Sequence, residues 1–210
     1  TSGAEDGQTV SIVISDGTNT VNTTATIDSN AYSVTGLDLS SLGDGTLTIT
    51  ADVDDLAGNS ATQATDTTTK DTASPTISVA INDGGDGRLN ASEDSSVTIS
   101  GTTSGAEDDQ TVSLNISSSS GGTPINTTAS VSSNSYSVTG LDLSSLSDGT
   151  LTITADVDDL AGNSATQATD STTKDTASPT ISVAINDGGD GRLNASEDSS
   201  VTISGTTSGA

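Results

Sequence analysis

Residues 71–106 recur letter for letter as residues 175–210, 104 positions downstream. Before them, "TSGAEDGQTV" at Thr1 returns as "TSGAEDDQTV" at Thr103. "YSVTGLDLSSL" occurs at Tyr32 and Tyr136, and "LTITADVDDLAGNSATQATD" at Leu47 and Leu151. The offset is 102 at first and becomes 104 after two extra residues around 117–124. Solenoid units repeat every ~20–50 residues, so a period near 100 marks a whole domain. The chain is expected to be a tandem array in which each bead buries its own core.

Little is available to build that core. Hydrophobic residues make up 29% of the chain, Phe, Trp, Met, Cys and His are absent, and Tyr32 and Tyr136 are the only aromatics. Val, Ile, Leu and Ala suit a thin two-layer β structure better than a deep enzyme core. Apolar and polar residues alternate in "TISVAI" (76–81), "VTIS" (97–100), "TVSLNIS" (111–117), "SYSVTG" (135–140) and "TLTITADV" (150–157). In the last of these, Leu151, Ile153, Ala155 and Val157 share one face and Thr152, Thr154 and Asp156 the other,. Turn clusters such as "SDGT" and "AGNS" separate the runs,. About seven short strands per ~100 residues predict an all-β chain of tandem immunoglobulin-like β-sandwich domains of about 104 residues in a linear rod. Low hydrophobicity with high charge is also a signature of disorder. Regular alternation and a near-exact long repeat weigh against that reading when calcium is present.

"KDTASPT" at 70–76 and 174–180 reads as a linker, because its proline fixes φ and biases the preceding residue toward extended geometry,. Three segments follow. Residues 1–73 form an Ig-like domain lacking its first two strands, 74–177 a complete one, and 178–210 the first two strands of a further one. The chain is then expected to be a piece of something longer. Unpaired edges would fray or aggregate. The expected remedy is pairing of the tail of one chain with the head of the next, or an adjoining array that supplies the missing strands.

Charge narrows the partners. Twenty-nine acids against four bases give a formal charge of −25. Such a surface repels phosphate backbones and anionic lipid, so neither nucleic acid nor direct membrane contact is expected. No stretch is apolar enough to span a bilayer, and no signal peptide is visible. Without Cys there is no disulfide scaffold, thiol chemistry or cysteine-ligated zinc,. Without His as well, Ser-His and Cys-His catalysis are out of reach. Carboxylate pairs could serve a glycosidase, but they lie in short loops with no aromatic platform for sugar, and no enzyme is expected. Sequons at Asn22, Asn90 and Asn126 are read as accidents of a Ser/Thr-rich chain.

"NDGGDGRLNASED" at 82–94, repeated at 186–198, carries the candidate chemistry. Against an EF-hand-type loop, with oxygen ligands at positions 1, 3, 5, 7, 9 and 12 and glycine at 6, Asn82 falls at 1 and Gly84 at 3. Asp86 falls at 5, Gly87 at 6, Arg88 through its carbonyl at 7, Asn90 at 9 and Glu93 at 12. Asn82 weakens position 1, and Gly84 offers no side chain, so Asp83 is the substitute donor. Asp94 closes the loop, and Asp187, Asp190, Asn194 and Glu197 carry the same roles in the second copy. The competing reading is a solvated Asp/Gly turn.

The other acids also fall in loops. An immunoglobulin-like order puts the 83–94 loop, "LDLSSLSDG" and Asp175 at the far pole of a domain. "GAEDDQ" and "DVDDLAGN" lie at the near pole. Asp71 in the linker would then meet Glu107, Asp108, Asp109, Asp156, Asp158 and Asp159, with Asp52, Asp54 and Asp55 as the equivalents in the first repeat. Carboxylates crowded within one Debye length repel unless neutralised. Ca2+, with six to eight oxygens at ~2.3–2.6 Å, fits flexible carboxylate-rich loops, and several ions per domain are expected, including at the junctions. Zinc would lack nitrogen or sulfur ligands.

"DGTLTITADVDDLAGNSATQATDTTTKDTASPT" followed by "INDGGDGRLNASE" resembles the bacterial Ig-like repeats of giant repeats-in-toxin adhesins. The resemblance covers the whole chain through several linked motifs in register. It implies an extracellular, cell-surface protein exported by type I secretion, whose near-identical domains adjoin one another in tandem. It further implies that calcium at the junctions stiffens a rod projecting a distal binding domain away from the cell. Two other readings stand beside this extender role. One is a fibre subunit assembled head-to-tail by strand complementation. The other is a ligand-binding Ig-like module suggested by threonine-rich strands such as "TLTIT", which exposed strand positions also explain.

Overall fold

A computed structural model describes residues 3–209 of the chain. Every regular element among them is a strand, and no helix is long and apolar enough to cross a membrane. The chain is all-β, as its alternation predicts. It divides into two compact units, one of Thr1–Pro75 with Asp158–Ala165 and one of Thr76–Val157 with Thr166–Ala210.

The first unit holds β1 (Thr9–Ser15), β2 (Thr20–Thr26), β3 (Gly45–Asp52) and β4 (Ala64–Lys70) in one antiparallel sheet of order β2-β1-β3-β4. Period-2 alternation sets its faces: Val10, Ile12 and Ile14 turn inward with Ala25, Ile27, Leu42 and Leu47,. Ile49, Ala51 and Val53 are only partly covered.

The second unit contains a two-sheet sandwich. Its strands are β5 (Thr76–Ile77), β6 (Ala80–Asn82), β7 (Arg88–Leu89), β8 (Val97–Ser104), β9 (Thr111–Ser118), β10 (Ile125–Ser130), β11 (Ser135–Leu141), β12 (Gly149–Asp156) and β13 (Ala168–Lys174). One sheet runs β10-β9-β12-β13-β7, antiparallel except that β7 lies parallel to β13. The other runs β11-β8-β5, with β6 also paired to β8. Leu114, Ile116, Leu151, Ile153 and Ala155 of the first sheet are buried, as are Ile81, Val97, Ile99 and Tyr136 of the second. The predicted run 76–81 is thus split, and the two extra residues of this repeat fall in the β9–β10 connection. Ser133 and Asn134, with φ of 51° and 60°, form the tight turn into β11; two successive positive φ values match the right-handed twist of flanking strands.

Residues 178–210 add β14 (Thr180–Ile181), β15 (Ala184–Asn186), β16 (Thr202–Ser204) and β17 (Thr207–Ser208), paired as β14-β17 and β15-β16. These repeat the β5–β8 and β6–β8 pairings, but their apolar residues are exposed: Ile203 is 67% exposed where the identical Ile99 is 0%. The first repeat shows the converse. Its "YSVTG" at 32–36 forms no strand, whereas the same letters at 136–140 lie in β11. Sequence decides which face is apolar, and a partner strand decides whether the strand forms.

Candidate functional site

The 82–94 loop is held by its own side chains. Asn82 Oδ1 accepts from Gly84 N, Asp83 Oδ1 from Gly85 N at 3.0 Å, and Asp86 Oδ1 from Arg88 N at 2.9 Å. Asn90 Oδ1 accepts from Ser92 N, and Glu93 Oε2 accepts from Asn90 N at 3.0 Å. Such Asx-type turns are what Asn and Asp favour in loops. Glu93 folds back across the loop, so that a Cβ built on Gly84 would lie 3.1 Å from its Oε1. Template positions 3 and 12 are therefore neighbours, and glycine leaves the space open. The second loop repeats the pattern, with Asp187 on Gly189 N, Asp190 on Arg192 N and Glu197 on Asn194 N.

Two acids of the first loop are turned to other work. Asp83 Oδ2 accepts from Thr172 Oγ1 of β13 at 2.9 Å. The Gly85 amide and then that hydroxyl hold its carboxyl below the usual range, because both donors favour the charged form. Asp94 is buried and lies 3.0 Å from Lys174 Nζ. That ammonium also donates to the carbonyls of Leu143 (3.0 Å), Ser144 (3.3 Å) and Leu146 (2.7 Å). A further bond links Leu143 N to Asp94 O. The loop, the "LDLSSLSDG" turn and the end of the last strand thus meet, as the pole assignment requires. Asp175 N donates to Leu89 O, and Thr176 hydrogen-bonds Asp148. Lysine 174 was missed in the sequence; its one signal is that only four residues of the chain are basic and this one recurs at position 70.

The acids of the other pole divide between the two units. Asp52, Asp54, Asp55, Asp71, Asp158 and Asp159 belong to the first, and Glu107, Asp108, Asp109 and Asp156 to the second. In the first unit Glu5 Oε2 accepts from Leu56 N at 2.9 Å, joining "GAEDGQ" to "DVDDLAGN". Asn59 donates from backbone and side chain to Asp55, and Asn163 does the same to Asp159. Side-chain and backbone N–H donors of these asparagines lower both carboxyls. Asp159 is buried, and Asn163 Nδ2 also donates to Asp71 O at 3.2 Å. Gln63 and Gln167 cap Asp52 and Asp156. In the second unit Asp108 accepts from Ser133 N at 2.7 Å, and Asp109 holds a φ of 71°.

The donor chemistry is oxygen throughout, which fits a hard divalent cation. The present arrangement does not converge: among the described residues no three acidic groups stand together as a ready metal site. Neighbouring N–H and O–H donors take up the carboxylates instead. As it stands, the loop set is a charged, internally braced turn system.

No family model matches the chain, and no curated protein does. Solved structures are similar along nearly its whole length. A tetra-tandem repeat in the extending region of a large adhesion protein is 31% identical over 98% of this chain and 50% of its own, with a TM-score of 0.48. A Ca2+-stabilized adhesin that helps an Antarctic bacterium reach out and bind ice is 29% identical over 99% of this chain and 50% of its own, with a TM-score of 0.48. A 1.5-MDa bacterial ice-binding adhesin, described for host cell surface retention, is 26% identical over 98% and 66%, at 0.45. The chain therefore spans about half the length of the first two.

Proposed function

We propose that the chain is a structural extender segment of a large bacterial cell-surface adhesin, stiffened by calcium, that projects a distal binding domain from the cell. One observation carries the proposal: identical sequence is laid down in tandem as shallow aliphatic β units whose acids are concentrated in loops, with no group suited to catalysis. Repetition of a unit without chemistry supplies length. Each repeat of about 104 residues is one module, with neighbours of its own kind on either side, and the protein works outside the cell after type I secretion.

Calcium is the proposed ligand of the 82–94 and 186–198 loops and of the acids around "DVDDLAGN". Binding requires Glu93, Asp86 and the Arg88 carbonyl to swing from their present amide partners onto the ion. Extracellular modules of this kind bind at ~10⁻⁴–10⁻³ M, which leaves them loose at cytosolic calcium and filled outside. Thermal unfolding of the whole chain in calcium and in chelator, with small-angle scattering of the same samples, tests this. The expected result is a higher midpoint and a longer particle in calcium. If midpoint and scattering curve are the same in both, the loops are solvated turns and calcium stiffening is excluded.

A further inference from the structure

Residues 1–73 carry an apolar surface that the second repeat keeps covered. Tyr32 is 39% exposed where Tyr136 is 4%, and Tyr32, Ala51 and Val53 line an open groove of ≈ 450 Å³. At the matching positions Ala155 and Val157 are buried. The segment that covers them there includes β6 and β8: β8 pairs with β11, setting Tyr136 opposite Gly101 and Val138 opposite Ile99. The Tyr136 hydroxyl donates to Ser78 O at 2.6 Å. A Cβ at Gly101 would come within 2.7 Å of the Tyr136 ring, so the ring lies flat against that backbone.

The covering segment also exists uncovered in the same chain. Residues 178–210 are identical in sequence to 74–106, keep the same short pairings, and expose Ile181, Val183, Ile185 and Ile203. Every polar contact that locks the covering segment in the second repeat has both halves present and separate elsewhere. Lys174 grips Asp94; Lys70 and Asp198 are the matching residues. Ile81 N donates to Asp170 at 2.9 Å, and Ile185 and Asp66 match them. Thr172 donates to Asp83, and Thr68 and Asp187 match those.

We propose that the groove on residues 1–73 is a docking site for residues 178–210 of a second copy of this chain, which joins copies head to tail. The joint repeats the register already seen inside the second repeat. Tyr32 lies opposite Gly205 and Val34 opposite Ile203, the Tyr32 hydroxyl donates to Ser182 O, and Lys70 Nζ pairs with Asp198. The occupant is fixed by sequence identity with a segment whose seating is known. This inference stands apart from the extender reading, since it concerns only which surface covers which.

Sedimentation velocity of the full chain over a wide concentration range tests it. Salt is held high enough to screen the repulsion between two copies of charge −25,. The expected result is a ladder of species growing with concentration. Ile203→Asp and Tyr32→Asp change side chains that are exposed in the free chain, so each variant should retain the parent's circular dichroism. Each variant alone should associate at least tenfold more weakly than the parent. An equimolar mixture should stop at a one-to-one dimer, because only one intact head and one intact tail remain. A parent monomeric at every concentration, variants that associate like the parent, or a mixture that forms no dimer would each overturn the proposal.

Discussion

Lys174 Nζ lies 3.0 Å from Asp94 Oδ2 with both side chains almost wholly enclosed, 2% and 9% exposed. The ammonium spends its other hydrogens on carbonyls of the turn at 143–146. One side chain therefore ties the last strand to the loop after the first strands and to the turn before β12. Removing one partner strands a buried charge, which costs about 3–5 kcal/mol. Lys174→Met is expected to lower the urea midpoint of the second unit by that amount. Lys70→Met is the control: its nearest carboxylate, Asp44, is 3.9 Å away and 38% exposed. Loss of that pair should cost about 0–1 kcal/mol. Equal effects at the two positions would refute the ascription to burial.

The bond from Tyr136 to Ser78 O predicts an alkaline transition. Burial pushes the Tyr136 phenol up to about 12 from its ordinary value of 10.0. The folded state therefore holds this proton more tightly than the unfolded chain. The stabilisation is complete below pH 10 and is lost as pH rises from 10 toward 12,. Tyr136→Phe should cost about 1–3 kcal/mol at neutral pH, by leaving the carbonyl of Ser78 without its donor. It should also flatten the fall in stability above pH 10. Denaturant unfolding at a series of alkaline pH values reads both effects.

Much of this architecture was legible in the sequence, for a definite reason. Alternation across Thr111–Ser118 and Gly149–Asp156 follows from the pleat, which is a property of neighbours along the chain. The Lys174–Asp94 pair joins residues 80 positions apart, and nothing local announces it. Asp94 was read as a loop ligand because loop templates count spacing and not partners. The first repeat marks the limit most clearly. Residues 32–37 carry the letters of β11 yet make no strand without β8 beside them. The same dependence hides which carboxylates lie within reach of a cation, since Asp83 and Asp159 are engaged by residues that spacing alone does not bring near.

Asp83 gives a test at acid pH. Its carboxyl is held below the ordinary 3.8 by the Gly85 amide first and the Thr172 hydroxyl second. A depressed carboxyl contributes stability above its unfolded value and loses it as pH falls through the folded one. Thr172→Val, at a buried position, deletes the hydroxyl and keeps the shape. The Asp83 carboxyl should then titrate nearer its ordinary value, with the amide's share of the depression remaining. Side-chain carbon chemical shifts followed through acid titration measure it. An unchanged Asp83 titration would show that the hydroxyl contributes nothing.

Glu93 is the residue on which the calcium reading of the loop turns. Its Oε1 stands over Gly84 while Oε2 caps the Asn90 amide, so it braces the loop without metal and is also the bidentate ligand expected at the last template position. With a dissociation constant of ~10⁻⁴–10⁻³ M and about 10 mM calcium, one site adds about 1.4–2.7 kcal/mol to the folded state. Glu93→Ala should lower stability in chelator by about 0.5–1.5 kcal/mol, the net worth of one hydrogen bond. It should also remove that site's share of the calcium-dependent gain. Glu93→Gln separates the two roles: its amide oxygen can still accept from Asn90 N, but it is neutral and offers one oxygen in place of a carboxylate's two. Stability near the parent's in chelator together with a reduced calcium gain is the expected signature of Glu93→Gln. A full calcium gain in both variants would place the ion elsewhere, among the acids of "DVDDLAGN".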